Sequence, residues 1–378
     1  MAQAGQAAEQ AAGEGYFLYH SIGQYPGKGA AMAAALAEFS ARWAAPDDGQ
    51  WPYALGLKQR FIALWARLIG VAPATVTTCE SVTAGLYSLI GGLPAEVLRG
   101  RKLLVAGDCF PSLHFLLAGL QERFGFTLET VPLRPGAFWV EDEDVLAHWG
   151  PEVGLALLTW VTSTASHRCD VARLVAHGRA MGSLTGIDLT QGAGLLPFDA
   201  EEAGMDFALS TSLKWVCGAP GAGIIHAVPE LIARCRPEFR GWFSQDNPFN
   251  WALDAFSYAP DMRRFDNGTP AVMAAAASIP ALEWALEGAG ARLAHNRALG
   301  ARLLAGLAER GIELASPPQE SRRGGSVMAR LDGAGELVAR LRAEGMHADA
   351  RGPILRLSPG SVTTERGVER LLAALPRP

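Results

Sequence analysis

From about Val76 to Ala227, short apolar runs alternate with stretches in which apolar residues recur at helical spacing. That is the pattern of a parallel sheet with crossover helices. It predicts strands at 102–105, 128–132, 155–159, 184–188, 207–210 and 223–226, each brief, apolar and bounded by Gly, Pro or polar residues. Between them, 112–124 and 171–181 read as helices, the second with Val171, Leu174 and Val175 on one face. Ahead of this block, helices are expected at 29–43 and 57–68, separated by a loop at 45–52. Beyond Pro270 the pattern changes to an Ala-rich helical stretch ending at Glu287, another ending at Arg310, and short strands at 326–331 and 354–357 around a helix at 335–344.

The chain thus divides into an N-terminal segment (16–70), a large α/β domain (71–270) and a smaller α+β domain (271–378). The boundary is expected within 269–275, and an exposed loop at 317–325. Residues 1–15, rich in Ala, Gln and Gly, read as a flexible tail without the basic and apolar regions of a signal peptide.

Composition narrows the function. At 378 residues, 49% hydrophobic and 19% charged, the chain supports a sizeable core. A net charge of -5 with no basic block disfavours a nucleic-acid partner. No apolar run approaches the roughly 18 residues that cross a bilayer. Five scattered cysteines without a C-x-x-C pair suggest reduced thiols, and the expected location is cytoplasmic.

Two residues acquire meaning together. The strand at 184–188 delivers Asp188 at its C-terminal end, where open α/β sheets build ligand crevices. By itself, such an acid would only cap the turn that follows. The next strand runs into Thr211-Ser212-Leu213-Lys214-Trp215, setting a lysine among apolar and hydroxyl side chains. Alone it would be a surface lysine with a buried stem. Adjacent strand ends can meet in one pocket, and the pair then suits pyridoxal 5'-phosphate: an amine depressed by an apolar setting to form the imine, and a carboxylate to keep the pyridine nitrogen protonated. The glycines of Gly218-Ala-Pro-Gly221-Ala-Gly223 precede an apolar strand instead of following one, so they do not make a dinucleotide site. The eight histidines form no i, i+4 pair with acidic company, and no metal is expected.

The runs Gly186-Ile-Asp188-Leu-Thr-Gln191-Gly-Ala-Gly194 and Asp206-Phe-Ala-Leu-Ser-Thr-Ser212-Leu-Lys214-Trp are joined by Arg240-Gly-Trp242-Phe and Phe265-Asp-Asn-Gly268-Thr269-Pro270. Upstream stand Glu80-Ser81-Val82-Thr83 and Asp108-Cys-Phe110-Pro111-Ser112. Together they resemble the class V aminotransferase branch of fold-type I PLP enzymes, and within it kynureninase-like proteins. The resemblance spans nearly the whole chain after the tail. It implies an α/β fold with a mainly parallel seven-stranded sheet flanked by helices, a smaller C-terminal α+β domain, and a homodimer with shared active sites.

It also implies roles. Lys214 would hold the cofactor as a Schiff base and move protons, with Asp188 on the ring nitrogen. Ser81, Val82 and Thr83 would hold the phosphate at a helix start, or be a plain N-cap. Phe110 would stack on the pyridine ring, or be ordinary core packing. Gln191 would bond the ring hydroxyl oxygen, or be a solvated turn residue. Thr211 and Ser212 would add phosphate contacts, and Trp242, Gly268 and Thr269 would complete the phosphate cup from the second subunit. Arg356 would grip the substrate α-carboxylate, where otherwise a salt-bridged surface arginine is expected.

Kynureninases carry a tyrosine before the lysine, where this chain has Leu213, a histidine at Gln191 and an aspartate at Leu113. Gln191 is typical of the cysteine desulfurases of the same branch, yet these need a nucleophilic cysteine on a late loop and none follows Cys235. The expected function is a PLP-dependent lyase or hydrolase that cleaves a Cβ–C or Cβ–S bond of a small-molecule amino acid. Transamination ranks second and an inactive PLP-fold binding protein third. Trp51, Tyr53, His20 and Phe249 could line an aryl or extended side-chain pocket, or be packing residues.

Overall fold

The computed structural model describes residues 13–376. Its main sheet contains β1 (Val76–Cys79), β2 (Lys102–Ala106), β3 (Thr127–Val131), β4 (Val153–Thr159), β5 (Leu184–Asp188), β6 (Phe207–Thr211) and β7 (Gly223–Ala227). The order is β1-β7-β6-β5-β4-β2-β3. β3, β2, β4, β5 and β6 pair in parallel, and β7 runs against both of its neighbours, β6 and β1. The mainly parallel seven-stranded sheet implied by the resemblance is present. β4, β6 and β7 are buried over nearly every residue, which makes them unbroken apolar runs in the sequence. β1 escapes that pattern because Val-Thr-Thr-Cys is half polar. Thr77 is nonetheless buried, its hydroxyl donating to Asp266 at 2.5 Å.

The longer helices are α1 (Lys28–Trp43), α2 (Gln50–Ile69), α3 (Val82–Ile90), α4 (Pro111–Phe124), α5 (Val171–Met181), α6 (Val272–Leu286), α7 (Ala289–Ala308), α8 (Ala334–Ala343) and α9 (Glu365–Ala374). α2 begins well before the expected residue 57. Pro52 lies in its first turn, where a missing N–H leaves no intrahelical bond unmade, so a loop marker in the sequence is a helix starter in the fold. Among the described residues no helix is long and apolar enough to cross a membrane.

A second sheet, in the order β8-β10-β9, consists of β8 (Val327–Arg330), β9 (Asp349–Arg351) and β10 (Ile354–Leu357), all antiparallel. β9 and α9 were not expected. The core of this unit gathers Leu299, Leu303, Val327, Leu341, Leu355 and Leu371 with Phe17 from the N-terminal segment. Tyr16 and Leu18 bridge to His347 and Ser358. Gly13 and Gly15 pack closely against Val362 and Met346, so the last three residues of the expected tail are fixed. Residues 1–12 of that tail lie outside the described residues.

α6 departs from its expected grouping. Val272, Ala275, Ala276, Ile279 and Leu282 pack with α1, α2 and the main-sheet core, whereas the small unit's core begins at Leu299. The packing therefore changes over within α7, between Leu293, which still lies on the main-sheet core, and Leu299. The alanine-rich composition marks a helix pressed closely onto its neighbours.

Candidate active site

Adjacent strand tips bring the acid and the amine together. β5 ends at Asp188 and pairs in parallel with β6, whose continuation carries Lys214. Asp188 is buried at 6% exposure and accepts the Thr190 N–H at 2.9 Å. Burial raises its pKa, while Thr190 and the charge of Lys214 oppose the rise. Burial lowers the Lys214 amine to about 8, against the attraction of Asp188 and with help from the Arg356 charge. The amine lies 5.2 Å from the centroid of the Phe110 ring, which projects 41% exposed just beyond β2. Asp188 also acts on the neighbouring Cys109 thiol, which burial foremost pushes up to about 12. The tips of β2, β5 and β6 thus converge on one point.

The lysine turn is braced from behind by the N-terminal segment. Gly23 donates its N–H to the Leu213 carbonyl at 2.8 Å, and a Cβ on Gly23 would stand 1.8 Å from the Lys214 carbonyl oxygen. Cys217 donates back to that carbonyl at 2.8 Å with a φ of 66°, a left-handed conformation that the surrounding packing imposes on a non-glycine residue.

Arg356, in β10, is buried at 7% exposure. Its Nη1 donates to the Ser163 carbonyl at 3.1 Å and its Nη2 to the Asp349 carboxylate, while Nε is buried without a partner. An unpartnered buried donor on a guanidinium whose charge reaches Lys214 is suited to an incoming carboxylate. Sequence reasoning missed Asp349. The signal was the Gly352-Pro353 turn, which closes a hairpin that sets Asp349 directly opposite Arg356.

The remaining expected residues divide. Ser81 caps α3, accepting the Ala84 N–H at 3.1 Å, which leaves the first N–H groups of α3, at Val82 and Thr83, without partners within the helix. Gly268 and Thr269 line a cleft of about 250 Å³ with Glu80 and Ala84, beside that helix start. Thr211 closes β6. Ser212 is engaged inside the core: its hydroxyl donates to the Ala222 carbonyl at 2.6 Å and accepts the Trp65 indole N–H at 3.1 Å. Gln191 is buried and engaged at both ends, donating to the His20 carbonyl at 3.0 Å and accepting from Trp215 at 3.3 Å. Trp242 packs edge-on against Phe243 and Trp51. Trp51 and Tyr53 belong to the same aromatic band, and Phe249 is 75% exposed. His20 lies beside Asp349, at 3.4 Å.

An open aromatic face beside a buried amine, a buried carboxylate on the next strand tip and a free helix start fit the pyridine ring, the carbonyl and the phosphate of pyridoxal 5'-phosphate. Comparison with known proteins agrees. The signature of the family described as "Aminotransferase class-V" matches residues 63–341. A kynureninase of Deinococcus radiodurans is 30% identical over 314 residues, covering 80% of this chain and 73% of that protein. The uncharacterized aminotransferase YcbU of Bacillus subtilis is 28% identical over 305 residues, covering 80% of this chain and 78% of that protein. In fold, the chain superposes on the cystine C-S lyase C-DES, solved with its product cysteine persulfide, with a TM-score of 0.86 at 20% identity over 97% of this chain and 98% of that one. A signature spanning most of the chain, met by a lysine and an aspartate on neighbouring strand tips, makes this protein a member of the class-V aminotransferase family, an enzyme whose cofactor is pyridoxal 5'-phosphate.

Proposed function

We propose that this enzyme cleaves the bond between Cβ and its carbon or sulfur substituent in an α-amino acid. One observation carries the reading: the depressed amine of Lys214 faces the Phe110 ring while buried Asp188 acts on it from the adjacent strand tip. Bound pyridoxal 5'-phosphate supplies a carbonyl carbon that an amine can enter and a protonated ring that draws electrons from the substrate Cα. Lys214 Nζ would attach the cofactor and would be the base placed to move the proton at the substrate Cα. Asp188, whose carboxylate accepts the Thr190 N–H and feels the Lys214 charge against the upward push of burial, would pair with the ring nitrogen and keep its proton there. Phe110 covers one ring face. The N–H groups of Val82 and Thr83, with Thr211, hold the phosphate, and Arg356 takes the substrate α-carboxylate through Nε and its remaining Nη protons.

Support for Cβ cleavage comes from relatives named kynureninase, at 26–30% identity. Leu213 offers no hydroxyl beside the lysine, so the substrate class is put as β-substituted amino acids in general. The family name supports transamination as the second reading. Homodimerisation, with Trp242, Gly268 and Thr269 completing a neighbour's phosphate cup, is supported by the exposed apolar residues Phe249, Trp251 and Leu253 on the loop after Trp242. Five unpaired thiols support a cytoplasmic setting.

The test is to supply the holoenzyme with β-aryl-keto and β-thio amino acids and to identify products by mass spectrometry. Repeated release of the β-substituent with unchanged cofactor absorbance is expected. Keto acid formed once per site, with loss of that absorbance and no ammonia, would favour transamination. No spectral response to any amino acid would remove both.

A further inference from the structure

The arginine end of the site carries a second, unassigned carboxylate. Asp349 Oδ2 receives both Arg356 Nη2 and His20 Nε2. Burial would raise the pKa of Asp349, but the hydrogen bonds from His20 and Arg356 hold it well below the usual carboxylate range. His20 is 3% exposed, and burial foremost lowers its pKa to about 4, so it is neutral near pH 7 with one ring N–H. Nε2 faces an acceptor-only carboxylate, which assigns the proton to Nε2. Nδ1 then accepts from the Ser358 hydroxyl at 2.6 Å, and Ser358 accepts from Ser326 at 2.6 Å. This directional chain fixes the imidazole, and the imidazole fixes Asp349.

We propose that Asp349, oriented by His20, is the positioning and selectivity residue of the substrate-carboxylate site, holding the Arg356 fork for one incoming carboxylate and rejecting substrates that carry a second. The proposal deepens the reading above and rests on Arg356 receiving the substrate α-carboxylate. The guanidinium and Asp349 together are neutral before the substrate arrives. One carboxylate can use Nε and a remaining Nη proton. A second, on a short side chain, would meet Asp349 at a guanidinium already shared between two anions, where like charges juxtaposed in a partly buried site repel. The substrate class is therefore a monocarboxylic amino acid whose side chain is neutral or cationic. Aspartate- and glutamate-like amino acids are excluded.

Titrating the holoenzyme with alanine and with aspartate, followed through the cofactor absorbance, tests this without requiring turnover. The wild type should prefer alanine, and Asp349→Asn should raise the aspartate-to-alanine affinity ratio by about tenfold or more. Asp349→Glu, which keeps the charge, should leave the ratio near its wild-type value, and His20→Asn should shift it in the Asn direction by a smaller factor. Cofactor occupancy should be unchanged in all three, whereas a merely structural ion pair would weaken both ligands equally and leave the ratio alone. An unchanged ratio in Asp349→Asn, with Arg356→Met losing both ligands, would overturn the proposal and leave the Arg356 reading standing. If Asp349→Asn does not fold, an unchanged ratio in His20→Asn overturns it. Wild-type affinities retained in Arg356→Met would refute the Arg356 reading itself.

Discussion

The two ends of the site are held in place by different means. At the lysine end, Phe110, Asp188 and Lys214 follow strands of a single buried sheet, and the ladder hydrogen bonds of β5 and β6 set their spacing. At the arginine end, His20, Asp349, Arg356 and Ser358 come from the N-terminal segment and the small unit, joined by side-chain hydrogen bonds. The rigid sheet suits a bond-making amine that must stay in register with an acid. The polar junction suits recognition, since a change of one side chain there alters selectivity without moving the sheet.

That contrast can be broken from the lysine side. Lys214→Ala should remove the near-visible absorbance of bound cofactor and lower turnover by about 10⁴-fold, the loss expected for a group that both attaches the cofactor and transfers a proton. Retained absorbance and activity would refute its role. Asp188→Asn, read by steady-state kinetics, should keep cofactor bound but lower turnover by about 10²-fold, comparable to removing one preorganised electrostatic contact. Phe110→Ala should weaken cofactor affinity by about tenfold, the worth of an aromatic stacking contact, with little effect on the selectivity ratio set at Asp349. Fluorescence titration of the apoenzyme with cofactor measures it.

The smallest effect sharpens the electrostatics. Lys214 titrates near 8 in the fold, below its ordinary 10.5. Below about 8 the amine is charged folded and unfolded, and the desolvation cost is fully present. As pH rises from about 8 to 10.5 the unfolded chain holds the extra proton, so apoenzyme stability should rise through this window. Cofactor capture by the apoenzyme should accelerate with pH and level off once the amine is neutral, with a midpoint near 8. A midpoint near 10.5 in stopped-flow absorbance would contradict the buried setting.

The lysine end was legible in the sequence because strand periodicity is local: 184–188 and 207–210 are apolar runs with chemistry at their ends, and sheet order places them side by side. The arginine end was only partly legible. Arg356 stood out through family position, but Asp349 belongs to a three-residue strand too short to show a period, and its pairing depends on a hairpin. Ser212 and Gln191 have neighbours that the motif does not show: the Trp65 indole donates to the Ser212 hydroxyl and Gln191 donates to the His20 carbonyl, both partners remote in sequence. β1 was missed because threonines satisfy a ladder as well as valines do, without marking the run as apolar.

The strip from Tyr16 to Gln24 leaves the ribosome well before the segments it packs against. Phe17 bonds to the main chain at His347 and Ser358, Gly23 to Leu213 and Val362 to the Tyr19 hydroxyl. Its ordering must wait until most of the polypeptide has been synthesised, so these long-range closures belong to a late folding step. The nascent chain can assemble its parallel sheet before this strip is seated behind the Lys214 turn, which makes a finished lysine pocket a sign that synthesis of the small unit is complete.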